Sequence, residues 1–455
     1  MEIERKIYKA LQVWKREAGG TKALLIEGAR RVGKSTIVER FARREYKSYI
    51  LVDFNIAPRR VKNCFNDLTD LDVFFQKLSL EYNVRLYPRE SIIIFDEIQK
   101  FPAARQAIKY LVADGRYDFI ETGSLISIKE NVEKITIPSE ERRLRMYPVD
   151  FEEFMAALGE QVLLDYMREC YNKGETPERA YHMKAMRLFR EYMLVGGMPQ
   201  SIVAYMENGR DFYASDVEKR DILALYRDDI KKASKRYSSR VSALFENIPG
   251  YLSTHEKKVV LNQIEDNARF SQYDDPLFWL DDSMICNLCY RCNAPTVGFA
   301  LSKNDAAVKC YMGDTGLLLS LAFSENEISD QQLYKAIMDG KLSLNEGMIY
   351  ENAIAQMIAA ADKKLFFYTR YSEERHRNDI EIDFLLSNES KTRFKVFPVE
   401  VKSSKNYTTT SFDTFRSAFS KRVARSIIVH PKAFSTEEDV IKVPPYMFPF
   451  VLQDP

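Results

Sequence analysis

The sequence lacks the features of a membrane-spanning or disulfide-stapled protein. Its longest apolar run, around Gly316–Phe323, falls far short of the roughly 20 residues that span a bilayer. Met1–Lys6 carries acids and no apolar stretch follows it, which argues against a signal peptide. Six cysteines in a long, lysine- and glutamate-rich chain do not make a disulfide framework. The expectation is a cytoplasmic protein with no membrane attachment. An excess of one charge is also missing. The formal net charge is +1, so any DNA contact must come from a local basic patch. The four histidines, His182, His255, His376 and His430, are scattered and suggest no metal site. Cys286-x2-Cys289-x2-Cys292, with Cys310 as a distant fourth, has the look of iron–sulfur spacing. These cysteines sit among Met284, Ile285, Leu288 and Tyr290, however, as packed apolar cysteines do.

What is present is a composition that builds cores, with 45% hydrophobic and 29% charged residues. A chain of 455 residues implies about two to four domains. Residues 1–20 read as an amphipathic helix stopped by Gly19-Gly20. Apolar strands are expected at Lys22–Glu27, Ser48–Phe54, Ser91–Asp96 and Tyr117–Thr122. Helices are expected from Lys34 to about Tyr46, at Leu71–Tyr82 and at Pro102–Ala113. This alternation is the pattern of a parallel α/β sheet. Residues 149–235 are helix-rich, with one break at Gly196-Gly197-Met198-Pro199, and 236–318 mix short helices with strands. A second α/β segment begins near 345. It has a helix at Gly347–Ala361, then strands at Leu365–Tyr371, Glu381–Leu386 and Phe397–Lys402.

Gly28-Ala29-Arg30-Arg31-Val32-Gly33-Lys34-Ser35, followed by Thr36, is a complete GxxxxGK[ST] loop between a strand and a helix. Its glycines let backbone N–H groups face phosphates, Lys34 reaches the β- and γ-phosphates, and Ser35 ligates Mg²⁺. The apolar strand Ser91–Phe95 ends in Asp96-Glu97. Asp96 suits the Mg²⁺ shell and Glu97 the polarisation of an attacking water. The plainer reading of the acidic pair is a helix cap. Thr122 and Ser124, after the next strand, are candidates for contacting that water or the γ-phosphate, or belong to an ordinary turn. Arg142 and Arg143, in Glu140–Arg145, are candidates for transition-state charge, or simply a solvated face.

The ordered set resembles a family of AAA+-type ATPases of bacteria and archaea that carry a C-terminal domain of unknown function. The matching pieces are Gly28–Thr36, Ser91–Gln99, Glu121–Leu125, Tyr147–Phe154, Gly196–Pro199, Lys309–Leu318, Tyr350-Glu351-Asn352, Glu381-Ile382-Asp383 and Val399–Lys402. The resemblance implies an AAA+-like core with a parallel sheet over 1–148 and a helical lid over 149–235. It also implies a winged-helix-like segment over 236–330 and an α/β restriction-endonuclease-like domain over 331–455. Relatives carry Gly-Arg before the Tyr-Pro segment, where this chain has Pro138–Arg143.

Asp383 in an alternating strand, followed 17 residues later by Glu400-Val401-Lys402, is the D…ExK arrangement of the PD-(D/E)xK nuclease fold. Asp383 and Glu400 suit a shared Mg²⁺. Period-2 spacing puts Glu400 and Lys402 on one strand face, where Lys402 would orient a water. Glu351 is a further carboxylate for the same site. The alternative is an ordinary surface ion pair. Lys231-Lys232, Lys235-Arg236, Arg240 and Lys257-Lys258 make the middle segment locally basic, and Arg375-His376-Arg377 lies near the nuclease-like motif.

The function expected is a Mg²⁺-dependent ATP-hydrolysing switch or motor acting on nucleic acid or a protein partner through its C-terminal modules. Its cofactors would be ATP and Mg²⁺, its partners DNA and further copies of itself. Two alternatives stand beside it: a non-hydrolysing, ATP-controlled docking regulator with a degenerate nuclease fold, and an ATP-gated metal-dependent nuclease.

Overall fold

The computed structural model describes residues 2–124, 138–233, 236–323, 334–335, 338–339, 346–374, 376–387 and 395–453. Leu125, Lys235 and Arg375, named above, lie outside these. The chain divides into two compact units. One comprises Glu2–Tyr147 with Asp282–Met284, the other Pro148–Asp281 with Ile285–Pro455. Tyr147 ends the main stretch of the smaller unit and Pro148 begins the larger one.

The N-terminal unit alternates as its hydrophobic pattern requires. The elements are α1 (Ile7–Ala18), β1 (Ala23–Glu27), α2 (Lys34–Glu45), β2 (Ser48–Asp53), α3 (Arg59–Asn63), α4 (Leu71–Tyr82), β3 (Ser91–Asp96), α5 (Pro102–Asp114), β4 (Asp118–Gly123) and β5 (Glu141–Arg145). The strands lie in the order β2-β3-β4-β1-β5, and every pair is parallel. All residues of β3 and β4 are buried, as continuous apolar runs in a sheet covered on both faces must be. One face packs Ile93, Phe95 and Phe119 with α4 and α5. The other packs Leu24, Ile92 and Ile120 with Phe41 of α2 and Trp14 of α1. Strand β5 was not expected: Glu141–Arg145 reads as a charged run. Among the described residues it pairs only with β1, and an edge strand tolerates alternate charged residues.

The larger unit opens with α6 (Phe151–Ala157), which starts on a capping box in which Asp150 and Glu153 satisfy each other's backbone N–H groups. Helices α7 (Gln161–Lys173), α8 (Arg179–Val195), α9 (Pro199–Glu207), α10 (Phe212–Lys231), α11 (Ser238–Glu246), α12 (Ile248–Ser253) and α13 (Asp274–Asp282) follow. Strands β6 (Cys286–Cys292) and β7 (Lys303–Met312), then α14 (Thr315–Ala322), complete the middle segment. The C-terminal segment holds α15 (Glu346–Ala360), β8 (Leu365–Ser372), β9 (Arg377–Ile382), β10 (Phe384–Ser387), β11 (Val396–Val401), α16 (Thr410–Ala418), β12 (Ser426–Val429), β13 (Ser435–Glu437), β14 (Val440–Val443) and α17 (Phe448–Gln453).

One sheet of the larger unit spans the boundary expected at 330. Hairpin β6–β7 is half of a sheet β7-β6-β8-β9, because β6 also pairs in parallel with β8. The middle segment therefore shares its sheet with the C-terminal segment and does not close as a separate winged domain. The second sheet runs β10-β11-β12-β14-β13. The single strand expected over Glu381–Leu386 is divided between two strands. Residues up to Ile382 pair with β8, and those from Phe384 pair with β11. Asp383 is the junction at which the chain changes sheets. The six cysteines are all buried and unbridged. Among the described residues no helix is long and apolar enough to cross a membrane.

Candidate functional site

The nucleotide site lies at the carboxyl ends of the parallel strands, where a covered α/β sheet leaves backbone and side chains free for a ligand. The loop after β1 reaches its shape through Arg31 (φ 70°) and Gly33 (φ 97°), which feed into the first turn of α2. Gly28 is dictated by packing: a Cβ there would sit 2.4 Å from the Met146 carbonyl oxygen. Arg5 braces the loop from outside it. Its guanidinium donates to Val32 O at 3.0 Å and to Tyr147 O at 2.6 Å. No motif marks Arg5, and only the fold brings it to the loop.

Lys34 is buried and donates to the carbonyls of Gly28 and Ala29, each at 2.9 Å. Burial pushes its ammonium down to about 8, against the opposing pull of Glu97 and Asp96. A strong cation is thus held inside the loop by weak carbonyl acceptors, a position that phosphate oxygens would fill better. Ser35 Oγ donates to Asp96 Oδ1 at 2.9 Å, and the buried Thr122 hydroxyl donates to the same oxygen. Ser35, in the first turn of α2, and Asp96, at the end of β3, converge on one point, and their oxygens fit a hard divalent cation. Thr122 is turned toward Asp96, and Ser124 is buried just beyond β4. Glu97 adopts left-handed backbone, φ 54°, a sparsely populated conformation for a non-glycine residue. Gln99 Nε2 donates to its Oε2 at 2.5 Å. Arg30, Arg31 and Thr36 lie on the more open side of the loop and helix.

Arg142 and Arg143 sit on β5 opposite Leu24 and Leu25. Arg142 pairs with Glu17 at 3.0 Å. Arg143 pairs with Glu141 at 3.0 Å and lies 3.6 Å from Glu27. Within this chain, each therefore faces an acidic partner on or beside the edge strand.

The larger unit brings the second set of predicted residues together. Asp383, Glu400 and Lys402 line one cleft of about 480 Å³, with Lys257, Lys309 and Thr369. Asp383 Oδ2 accepts from the Val401 N–H at 2.8 Å, and Lys402 is ion-paired with Glu400. Burial and the neighbouring Asp383 raise Glu400 to about 7, against the pull of Lys402. Burial and Glu351 raise Asp383 as well. Glu351 has a different set of partners. It is buried on α15 and accepts from Lys309 Nζ at 2.8 Å, from Lys257 and from Tyr311. Burial would raise its pKa, but the two ammoniums outweigh it and hold the carboxyl at about 2. Among the described residues no group of three or more acidic, histidine or cysteine side chains is arranged to hold a metal ion. The partnership of Lys257 and Lys309 with Glu351 was not legible in the sequence, which showed Lys257 as part of a basic run.

Comparison with known proteins agrees with the N-terminal geometry. Residues 20–155 match the AAA domain family. Residues 186–328 and 346–447 each match a domain of unknown function. The phosphate loop and the acid-tipped strand β3 both lie within the AAA-domain match. No curated protein matches the chain. Among solved structures, it is similar to a Walker-type ATPase of Pyrococcus abyssi, at 15% identity over 70% of this chain and 96% of that one, with a TM-score of 0.41. It is also similar to the Aeropyrum pernix Orc1 protein in complex with DNA, at 11% identity over 71% and 94%, TM-score 0.29. A third is a STAND protein with a tetratricopeptide repeat sensor from Pyrococcus horikoshii, at 12% identity over 80% and 50%, TM-score 0.26.

Proposed function

We propose that the protein is a Mg²⁺-dependent ATP-hydrolysing switch or motor whose larger unit acts on nucleic acid or a protein partner. The observation that carries the nucleotide part is the convergence of Ser35 and Asp96 beside a buried Lys34. In this reading Ser35 and Asp96 hold Mg²⁺, which supplies charge neutralisation for the phosphates when bound. Lys34 exchanges its carbonyl partners for phosphate oxygens. Glu97 orients the attacking water and takes its proton. Arg142 or Arg143 would supply charge to the transition state once released from its acidic partner. Steady-state ATP hydrolysis with and without Mg²⁺ tests the core of the proposal. Turnover that persists unchanged in Lys34→Ala overturns it.

A second reading is favoured by the ion cluster around Glu351. Here ATP sets the arrangement of a docking regulator, and the C-terminal fold has lost nuclease chemistry. Anisotropy of a labelled DNA duplex, with and without ATP, separates nucleic-acid docking from a protein partner. Light scattering with ATP tests self-association.

A further inference from the structure

We infer that the C-terminal cleft is a carboxylate cluster closed by lysine ammoniums in place of a divalent cation, so that it does not run metal-dependent phosphodiester cleavage. The inference is independent of the nucleotide site. It begins with strand period. Lys309 and Tyr311 are two apart on β7 and share a face, and both reach Glu351 of α15. Lys257 enters from the loop after α12. Its backbone is left-handed, φ 52°, with its N–H on Thr254 Oγ1 at 3.2 Å, and its ammonium takes the other oxygen of Glu351. The two oxygens of Glu351 therefore serve three donors, two of them cations.

Asp383 completes the balance. Lys309 Nζ is 2.8 Å from Glu351 and 3.8 Å from Asp383 Oδ1, so one ammonium stands between the two carboxylates. Lys402 is paired with Glu400. Glu351, Asp383 and Glu400 are thus matched by Lys257, Lys309 and Lys402. Lys309 and Glu351 are buried, and a buried charge is tolerated only when paired. A divalent ion joining Glu351 and Asp383 must approach each oxygen to about 2.1 Å, the space Lys309 Nζ fills. Such an ion would compete with Lys257 and Lys309 for the same carboxylate charge. Glu400 Oε2 is buried without a hydrogen-bond partner. The Lys402 ammonium holds the other oxygen of that carboxylate.

The test is Mn²⁺ binding by the full-length protein without nucleotide, followed by electron paramagnetic resonance in an Asp96→Asn background that removes the P-loop contribution. The expected result is no binding at millimolar Mn²⁺ in this parent. Adding Lys309→Met should create a site at least tenfold tighter that vanishes again with Asp383→Asn. Lys257→Met is read instead if circular dichroism shows that the Lys309 variant does not fold. Mn²⁺ binding by the parent that is lost with Asp383→Asn overturns the inference. So does Mn²⁺-dependent DNA cleavage lost with the same change, or a folded lysine variant that gains no Mn²⁺.

Discussion

At the residue scale, two lysines define the two sites by opposite means. Lys34 is buried on neutral carbonyls, and burial lowers its pKa to about 8. Lys309 is buried against carboxylates, and despite the cost of burial Glu351 and Asp383 hold its pKa above the ordinary lysine value. The first faces neutral carbonyls; the second faces carboxylates of its own chain. Lys34→Ala should abolish ATP turnover and weaken nucleotide binding, read by steady-state kinetics and calorimetric titration. Glu97→Gln should retain ATP binding while turnover falls by about 10²–10⁴-fold. Equal loss of binding in both variants would deny Glu97 its separate role. Glu351 also makes an acid-stability prediction. Its folded pKa, about 2, lies below the ordinary 4.5, so its stabilisation is full above pH 4.5 and is lost as pH falls toward 2. The contribution is of order 3 kcal/mol. Urea midpoints of wild type and Glu351→Gln should differ strongly at neutral pH and converge near pH 2. A difference independent of pH would show that charge pairing is not its source.

At the scale of elements, much was legible because backbone demands are local. Leu71–Tyr82 and Ser91–Asp96 fall where an apolar pattern and a cap place them, and Asp70 caps α4 by accepting from Asp72 and Val73 N–H groups. Strand β5 was missed because edge pairing asks little of side chains. The strand expected through Asp383 was split because alternation specifies an extended backbone but not which sheet receives it. Close packing makes another prediction. Gly316, near the start of α14, lies against the turn at Gly196. A Cβ at 316 would come within 2.6 Å of the Gly196 Cα, and this backbone cannot yield as a flexible side chain does. Gly316→Ala should destabilise the larger unit by about 1–3 kcal/mol, measured by chemical denaturation. An unchanged midpoint would mean that α14 shifts freely.

At the scale of the whole molecule, the chain is two compact units of unequal size, and the nucleotide residues all belong to the smaller one. Scanning calorimetry should therefore show two transitions, of which one rises with ATP and Mg²⁺. Mass action gives about 2.7 kcal/mol at a ligand concentration 100 times Kd. Lys34→Ala should remove this rise without moving the other transition. An equal shift of both transitions would show that the units unfold as one.

The sequence alone determined the phosphate loop, the acid-tipped strand and the alternation that makes a parallel sheet. Each depends on residues close together in the chain, where glycine freedom, apolar period and capping act directly. Tertiary structure decided what the charged residues face. Arg5 reaches the phosphate loop, Thr122 turns to Asp96, and Lys257 and Lys309 settle on Glu351. These partners are far apart in sequence, and a charge selects its partner by distance in space and by shared burial. No local pattern records either.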